Sequence, residues 1–143
     1  MNLSRRLAAE ALGTCLLIIS VVGSGIMATR LTDDFAVQLL ANAGATVGAL
    51  IALILMFGPI SGAHFNPVVT AASCFFDGRS WRDLVPYAVA QTFGGIVGSA
   101  IANLMFDLPA VDWSTKVRSG SGLWLAEVVA TVGLLLVIIG SNR

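Results

Sequence analysis

The amino-acid sequence predicts an all-α integral membrane protein, and three observations carry that prediction. Of the 143 residues, 57% are hydrophobic and 11% are charged, whereas soluble domains carry charge on roughly a quarter of their residues. The chain contains four apolar segments of about 20 residues, which is the length that crosses a bilayer as a helix. The alternating polar pattern of membrane barrel strands is missing. Eight basic and eight acidic residues balance each other, so no basic patch for nucleic acid is expected.

The first apolar segment runs from Leu7 to Met27 and follows a basic start, Ser4-Arg5-Arg6, that resembles the beginning of a secretory signal peptide. This segment contains Glu10, is about 20 residues long and precedes further spans of similar length. We therefore predict a retained first membrane helix. An ionisable residue inside a membrane is costly, and it indicates either a transport pathway or a buried structural partner.

Three further spans are predicted, from Phe35 to Phe57, from Leu84 to Phe106 and from Leu123 to Gly140. Each must be helical, because lipid cannot satisfy free backbone groups. Glycines four residues apart in two of these spans indicate either close helix packing or the general frequency of glycine in membrane helices: Gly44 and Gly48, and Gly94 and Gly98.

Basic residues weakly favour a cytoplasmic N-terminus. In that orientation the inner face holds Arg5, Arg6, Arg79, Arg82 and Arg143, and the outer face holds Arg30, Lys116 and Arg118. Four spans then place both termini in the cytoplasm, and we expect a multi-pass protein of the cell membrane, most simply a bacterial inner membrane. The two cysteines, Cys15 and Cys74, lie in apolar stretches without metal-ligand spacing and are predicted to be packing residues.

The most informative segment lies between the second and third spans. Gly58-Pro59 predicts the end of the second span, and Ser61-Gly62 predicts non-helical backbone after it. Asn66-Pro67 predicts a helix start, because asparagine is a favoured N-cap and proline suits the first helical position. A helix from Pro67 to Phe76 would rise about 15 Å, half of the roughly 30 Å hydrocarbon core. We predict a re-entrant half-helix whose irregular approach lines a watery cavity near the midplane.

The chain also repeats itself, since Glu10 can be set against Glu127 without gaps. The same offset matches Ala9 with Ala126, Thr14 with Thr131, Leu17 with Leu134, Gly23 with Gly140, and Ser24 with Ser141. Three spans separate the starts of the two units, so the second unit enters from the opposite side, as in inverted-topology transport folds. We predict a single domain over residues 1–143, with a first repeat over 1–106 and the first helix of an incomplete second repeat over 123–143.

These motifs resemble a known family. Ser61 to Val69 reads Ser-Gly-Ala-His-Phe-Asn-Pro-Val-Val and resembles the first signature loop of the aquaporins, or major intrinsic proteins. Ala9 to Thr14 is similar to their first-helix motif, and Gln91 falls where their third helix carries glutamine. The resemblance covers essentially the whole chain, and its motifs are specific in combination. It implies an aquaporin-like inverted-repeat helical bundle, truncated here to four transmembrane helices and one re-entrant half-helix.

The resemblance further implies a passive channel for small neutral solutes rather than an enzyme, with no cofactor or metal and a homo-oligomeric, tetrameric assembly. The pore-lining residues that it implies are Thr46, Gly62, Ala63, His64, Asn66, Pro67 and Val68. The Asn66 amide would donate to a passing oxygen, beside the positive end of the half-helix dipole, which disfavours cations. Glu10 and Gln91 would brace the loop as buried polar residues, and Glu127 would brace a second loop.

Thr46 falls where the second helix of the family contributes to the narrow constriction. Water channels usually carry phenylalanine there and glycerol channels often carry tryptophan, so a smaller threonine predicts a wider constriction. This favours glycerol, urea or neutral metalloid hydroxides such as arsenous acid over water alone.

The chain departs from the family pattern at two points. Val68 replaces the usual alanine, and the sequence ends at Arg143 without a second half-helix. We expect that this chain alone encloses no complete pore. Two alternatives to the channel therefore stay open: a non-conducting truncated membrane fragment, and a proton-coupled transporter that uses the buried glutamates.

Overall fold

The computed structural model describes residues 2–115 and 119–141. Lys116, Arg118 and Arg143, which entered the orientation argument, lie outside the described residues. Five α-helices follow one another, with a short 3₁₀ turn at Trp81–Asp83: α1 Leu3–Leu31, α2 Phe35–Ser61, α3 Pro67–Phe76, α4 Leu84–Met105 and α5 Ser121–Ser141. The described residues contain no β-strand, so the predicted all-α class is confirmed.

Four of these helices are long and apolar enough to cross a membrane, as predicted. α1 extends four residues beyond the predicted span at each end. At its start, the side chain of Asn2 caps the helix by accepting from the Arg5 amide at 3.0 Å. The half-helix α3 has the predicted bounds and ten residues.

The predicted end of the second span at Gly58-Pro59 is wrong by one turn, since α2 continues to Ser61. Proline removes one N–H donor but does not prevent the following residues from adopting helical angles. The Gly62 amide closes the last turn on the Gly58 carbonyl at 3.0 Å, and Gly62 ends the helix in the left-handed region with φ of 101°. Ser61, predicted to be non-helical, is therefore the last helical residue, and the stop signal is Gly62.

α1 is the centre of the bundle and packs against α2 on one side and α4 on the other. Gly94 and Gly98 of α4 lie directly against the backbone of α1, at Ala11 and Cys15. Their missing side chains bring the two backbones together, as small residues do between membrane helices. Gly44 and Gly48 of α2 have no atom within 4 Å of their Cβ positions. Only the α4 pair is a packing motif in the described part of the chain.

Polar side chains also join these helices. Asn42 of α2 donates to the Val21 carbonyl of α1 at 2.7 Å and to the Ser24 hydroxyl at 3.0 Å. Arg30 of α1 donates to the carbonyl of Phe106, the C-cap of α4, at 2.6 Å. A cation at a helix C-terminus satisfies a free carbonyl and complements the dipole. α5 lies apart, and its principal contact is with α3.

The glycine contacts give a stability prediction. Gly94→Ala would push a methyl group into the Ala11 backbone, which cannot move aside, so the α1–α4 contact should open at a cost of about 1–3 kcal/mol. The melting temperature in detergent should fall. Gly48→Ala is the matched control and should change it little, because no atom lies within 4 Å of that position. Equal melting temperatures for the two variants would contradict the assigned packing.

Candidate functional site

The loop between α2 and α3 has an intrinsically unfavourable backbone conformation. Gly62, Ala63 and Phe65 all have positive φ angles, of 101°, 50° and 49°. Glycine adopts this region freely, but a residue with a side chain is strained there by about 1–2 kcal/mol. The loop therefore depends on contacts from outside its own segment.

Glu10 of α1 supplies most of those contacts. Its carboxylate is completely buried. One oxygen, Oε1, accepts from the Ser61 hydroxyl at 2.6 Å and from the His64 amide at 3.0 Å. The other oxygen, Oε2, accepts from the Phe65 amide at 2.8 Å and from the Gln91 side chain at 2.8 Å. The two amides belong to the loop, so the carboxylate ties α1 directly to the strained backbone.

These four hydrogen bonds use all the acceptor sites of the carboxylate. An ionised carboxylate has about four acceptor sites, and each here has a donor. This geometry suits a carboxylate that holds a loop in place.

Gln91 of α4 extends the same network. Its Nε2 donates both to Glu10 and to the hydroxyl of Thr70, the latter at 3.1 Å. Thr70 lies one turn into the half-helix and is completely buried. Its hydroxyl lies 3.1 Å from Nδ1 of His64. α1, α4, the loop and the half-helix thus meet at one buried polar centre, the Glu10 network of Glu10, Ser61, His64, Thr70 and Gln91.

A second cluster holds the carbonyl of Ser61. The hydroxyl of Tyr87, a completely buried residue of α4, donates to that carbonyl at 2.9 Å. Arg79 donates to it from Nη2 at 3.0 Å, and Nη1 of Arg79 donates to the Tyr87 hydroxyl at 3.0 Å. Asp83 lies 3.7 Å from the Arg79 guanidinium and 2.9 Å from that of Arg6. The last turn of α2 is therefore fixed through both its side chain and its backbone.

The half-helix begins as its sequence predicts. The Asn66 side chain accepts from the Val68 amide at 2.8 Å, and Pro67 occupies the first turn. The atom that accepts must be the amide oxygen, so the NH₂ group of Asn66 is left as the donor. At this helix end the free backbone amides and the dipole add positive potential.

A cavity of about 270 Å³ lies beside this loop, between α2, the half-helix and α5. Three of the predicted pore residues, Gly62, Ala63 and His64, line it, together with residues of the half-helix and α5: Val69, Ala72, Ser73, Leu135 and Ile138. Asn66, Pro67, Val68 and Thr46 are not among its lining residues in the described part of the chain. The structure therefore brings the loop residues to one cavity wall and leaves the others outside it.

Thr46 and Glu127 lie away from the cavity. Thr46 is half-buried on α2 and donates back to the Asn42 carbonyl at 2.8 Å, so its place at a constriction stays a prediction. Glu127, predicted to be buried, is exposed on α5. The reason is that α5 contacts the half-helix principally through its C-terminal part, and Glu127 lies near the other end. Its role as the brace of a second loop also stays a prediction.

Arg79, Tyr87 and Thr70 are parts of the site that were not predicted from the sequence. Tyr87 and Gln91 are four residues apart on α4, and Asn66 and Thr70 are four apart around the start of α3. Because residues at that spacing share a helix face, each could have been found as the neighbour of an identified residue. Arg79 gave no such signal, since its reach across to Ser61 follows from the tertiary turn after the half-helix.

A half-length helix, entered through a loop that is fixed by a buried carboxylate, defines a multi-pass membrane protein with a re-entrant segment beside a cavity. The family model of the major intrinsic proteins matches residues 1–143. The chain belongs to the major intrinsic protein family.

Several curated proteins are similar to the chain. An aquaglyceroporin, AqpS, of Rhizobium meliloti is 50% identical over 142 residues, which are 99% of this chain and 61% of that protein. A probable aquaporin of the NIP type from Nicotiana alata is 32% identical over 95% of this chain and 50% of its own length. Aquaporin Z of Photorhabdus laumondii is 31% identical over 96% of this chain and 65% of its own length. The chain thus spans about half to two thirds of the length of these relatives.

The Glu10 network gives the prediction of this site. Glu10→Leu would leave the part-buried amide of His64 and the buried amide of Phe65 without acceptors, at about 1–3 kcal/mol for each, whereas Glu10→Gln keeps one acceptor oxygen. In detergent melting experiments the leucine variant should unfold at a markedly lower temperature than the glutamine variant. Glu127→Leu is the control on an exposed glutamate and should have little effect. Equal stability of the two Glu10 variants would show that the carboxylate does not hold the loop.

Proposed function

We propose that the protein is a passive membrane channel for water and small uncharged solutes, or the part of such a channel that holds its first half-helix. The observation that carries the proposal is the Glu10 network. It fixes a strained loop whose residues Gly62, Ala63 and His64 line a cavity, next to the donor end of a half-helix. The NH₂ group of Asn66 and the free backbone amides at that end can donate to the oxygen of a passing neutral solute, and the positive end of the helix dipole disfavours cations.

The solutes that we propose are glycerol, urea and neutral metalloid hydroxides, in addition to water. Two observations support this choice. The small side chain of Thr46 predicts a wide constriction, because the diameter and lining of a pore set its selectivity. The relative that is 50% identical is named an aquaglyceroporin.

The transporter alternative is disfavoured by the geometry of Glu10. A proton carrier must exchange its proton with water or with another titratable group. Glu10 is completely buried, and its four bonds come from neutral donors. We therefore assign no proton pathway to it.

We further propose that the N-terminus is cytoplasmic, with a homotetrameric assembly like that implied by the family resemblance. In this orientation the α1–α2 turn faces outward and the segment after the half-helix faces inward. Single cysteines at Asp33 and Asp77, in a protein that lacks Cys15 and Cys74, should react with an impermeant reagent from opposite sides of sealed vesicles. Reaction from one side only would refute the topology. Cross-linking in the membrane would count the subunits.

The conduction test uses a chimera, because the chain spans 61% of the length of the aquaglyceroporin relative. Residues 1–143 are followed by the remainder of that relative, and the protein is reconstituted into lipid vesicles. Stopped-flow light scattering should show glycerol and water permeability well above that of empty vesicles. The 143-residue chain alone should show much less, since its described residues supply one half-helix end.

Asn66→Leu in the chimera should lower both permeabilities about tenfold or more, because the donor beside the half-helix end is lost. Asn103→Leu is the matched control, since Asn103 lies at the far end of α4, where its amide makes one long bond of 3.5 Å to the Ala110 carbonyl. A chimera that folds but conducts nothing would refute the channel. An equal loss of permeability in the two asparagine variants would show that Asn66 has no specific role in conduction.

A further inference from the structure

The hydroxyl of Thr70 joins three polar groups in the buried centre of the site. Three polar groups lie at 3.1 Å from it: Nε2 of Gln91, Nδ1 of His64 and the carbonyl of Asn66. Gln91 Nε2 can only donate and the carbonyl can only accept. The imidazole nitrogen can do either, so its state depends on the other two partners.

A threonine hydroxyl has one proton to give and two lone pairs that can accept. If it gives its proton to the Asn66 carbonyl, its lone pairs accept from Gln91 and from a protonated Nδ1 of His64, and all three contacts are hydrogen bonds. If it gives its proton to Nδ1 instead, the Asn66 contact becomes two acceptors facing each other. The first arrangement satisfies every contact and protonates His64 on Nδ1. The neutral ring then carries a bare lone pair on Nε2.

The surroundings of Nε2 favour the same state. The Cβ that Gly62 lacks would lie 3.0 Å from Nε2 of His64 and 2.9 Å from Nη2 of Arg79. The cationic nitrogen therefore lies near the lone pair of Nε2, where it would repel an N–H dipole. Neither His64 Nε2 nor any other atom of that ring bonds Arg79 directly in the described structure. Gly62 and His64 both line the cavity, and a side chain at Gly62 would press against Nε2 of His64 and the guanidinium of Arg79.

We propose that the Glu10 network fixes His64 in the Nδ1–H tautomer, so that Nε2 is a permanent acceptor at the cavity wall for the O–H group of a neutral solute. Gln91 and Thr70 are positioning residues in this arrangement. They touch no solute, and they set the tautomer through the hydroxyl of Thr70. The subsite takes hydroxyl compounds, because its acceptor requires a donor proton, and water and polyols bring one.

This inference rests on the proposed channel for the solute that reaches the cavity, but the tautomer can be measured without any flux. His64 is the sole histidine of the sequence, so histidine labelled with ¹⁵N gives one pair of ring signals in solid-state NMR of the bilayer-embedded chain. At neutral pH the spectrum should show a protonated Nδ1 and an unprotonated Nε2, with the Nδ1–H form in excess by about tenfold, the ratio that one net hydrogen bond supports.

Three variants test the positioning. Thr70→Val removes the oxygen and should shift the population toward Nε2–H by about tenfold, while Thr70→Ser keeps the oxygen and should restore the original tautomer. Thr14→Val is the matched control, because Thr14 is also buried and its hydroxyl has no partner among the described residues. Protonated Nε2 in the unsubstituted chain would overturn the proposal, whatever the variants do. An unchanged tautomer in a folded Thr70→Val protein would show that Thr70 and Gln91 do not position His64.

The solute is tested with glycerol as the probe and dimethyl sulfoxide as a small neutral compound that has no O–H. Glycerol should shift the Nε2 signal in a saturable way, and dimethyl sulfoxide at the same concentration should not. Equal shifts, or none, would refute the subsite. If the glycerol shift is present and vesicles show no flux, the channel function fails and the subsite stands. If flux is present without the shift, the subsite fails and the channel function stands.

Discussion

The buried carboxylate of Glu10 is the interaction on which the rest of the structure depends. Lipid offers no hydrogen-bond partner, so the backbone amides of a re-entrant segment that do not face a watery cavity need partners from the protein. The loop before the half-helix has positive φ angles at Ala63 and Phe65, which block the regular hydrogen bonds of a helix. Glu10 supplies acceptors to two of its amides and to the Ser61 hydroxyl at once. One charged residue therefore makes an irregular backbone possible at membrane depth.

The close packing of α1 on α4 follows from that requirement. Glu10 lies on α1 and Gln91 on α4, and they meet at 2.8 Å, a distance that is possible only because Gly94 and Gly98 let the two backbones touch. Gln91 also donates to the hydroxyl of Thr70 on the half-helix. The glycines, the carboxylate and the half-helix form one physical unit, in which packing sets the polar geometry and the polar geometry sets the cavity wall.

Much of this could be predicted from the sequence, because its strongest signals are local. Span length, the Asn66-Pro67 start and the ten-residue length of the half-helix depend on adjacent residues, and the structure has them as predicted. The end of α2 was predicted one turn early because Pro59 is a weaker stop than Gly62. Arg79 and Tyr87 were missed because their contacts with Ser61 cross from other elements. Glu127 was expected to mirror Glu10, but burial depends on neighbours, and a repeat in sequence does not supply them.

The most direct measurement of the central role of Glu10 is hydrogen exchange of individual loop amides in the bilayer-embedded protein. The amides of His64 and Phe65 should exchange slowly in the unsubstituted chain and at least about tenfold faster in Glu10→Leu, since each loses its acceptor. The Val68 amide is the internal reference, because its acceptor is Asn66, and its exchange should change much less. Slow exchange of His64 and Phe65 that persists in a folded Glu10→Leu protein would show that the carboxylate does not hold the loop.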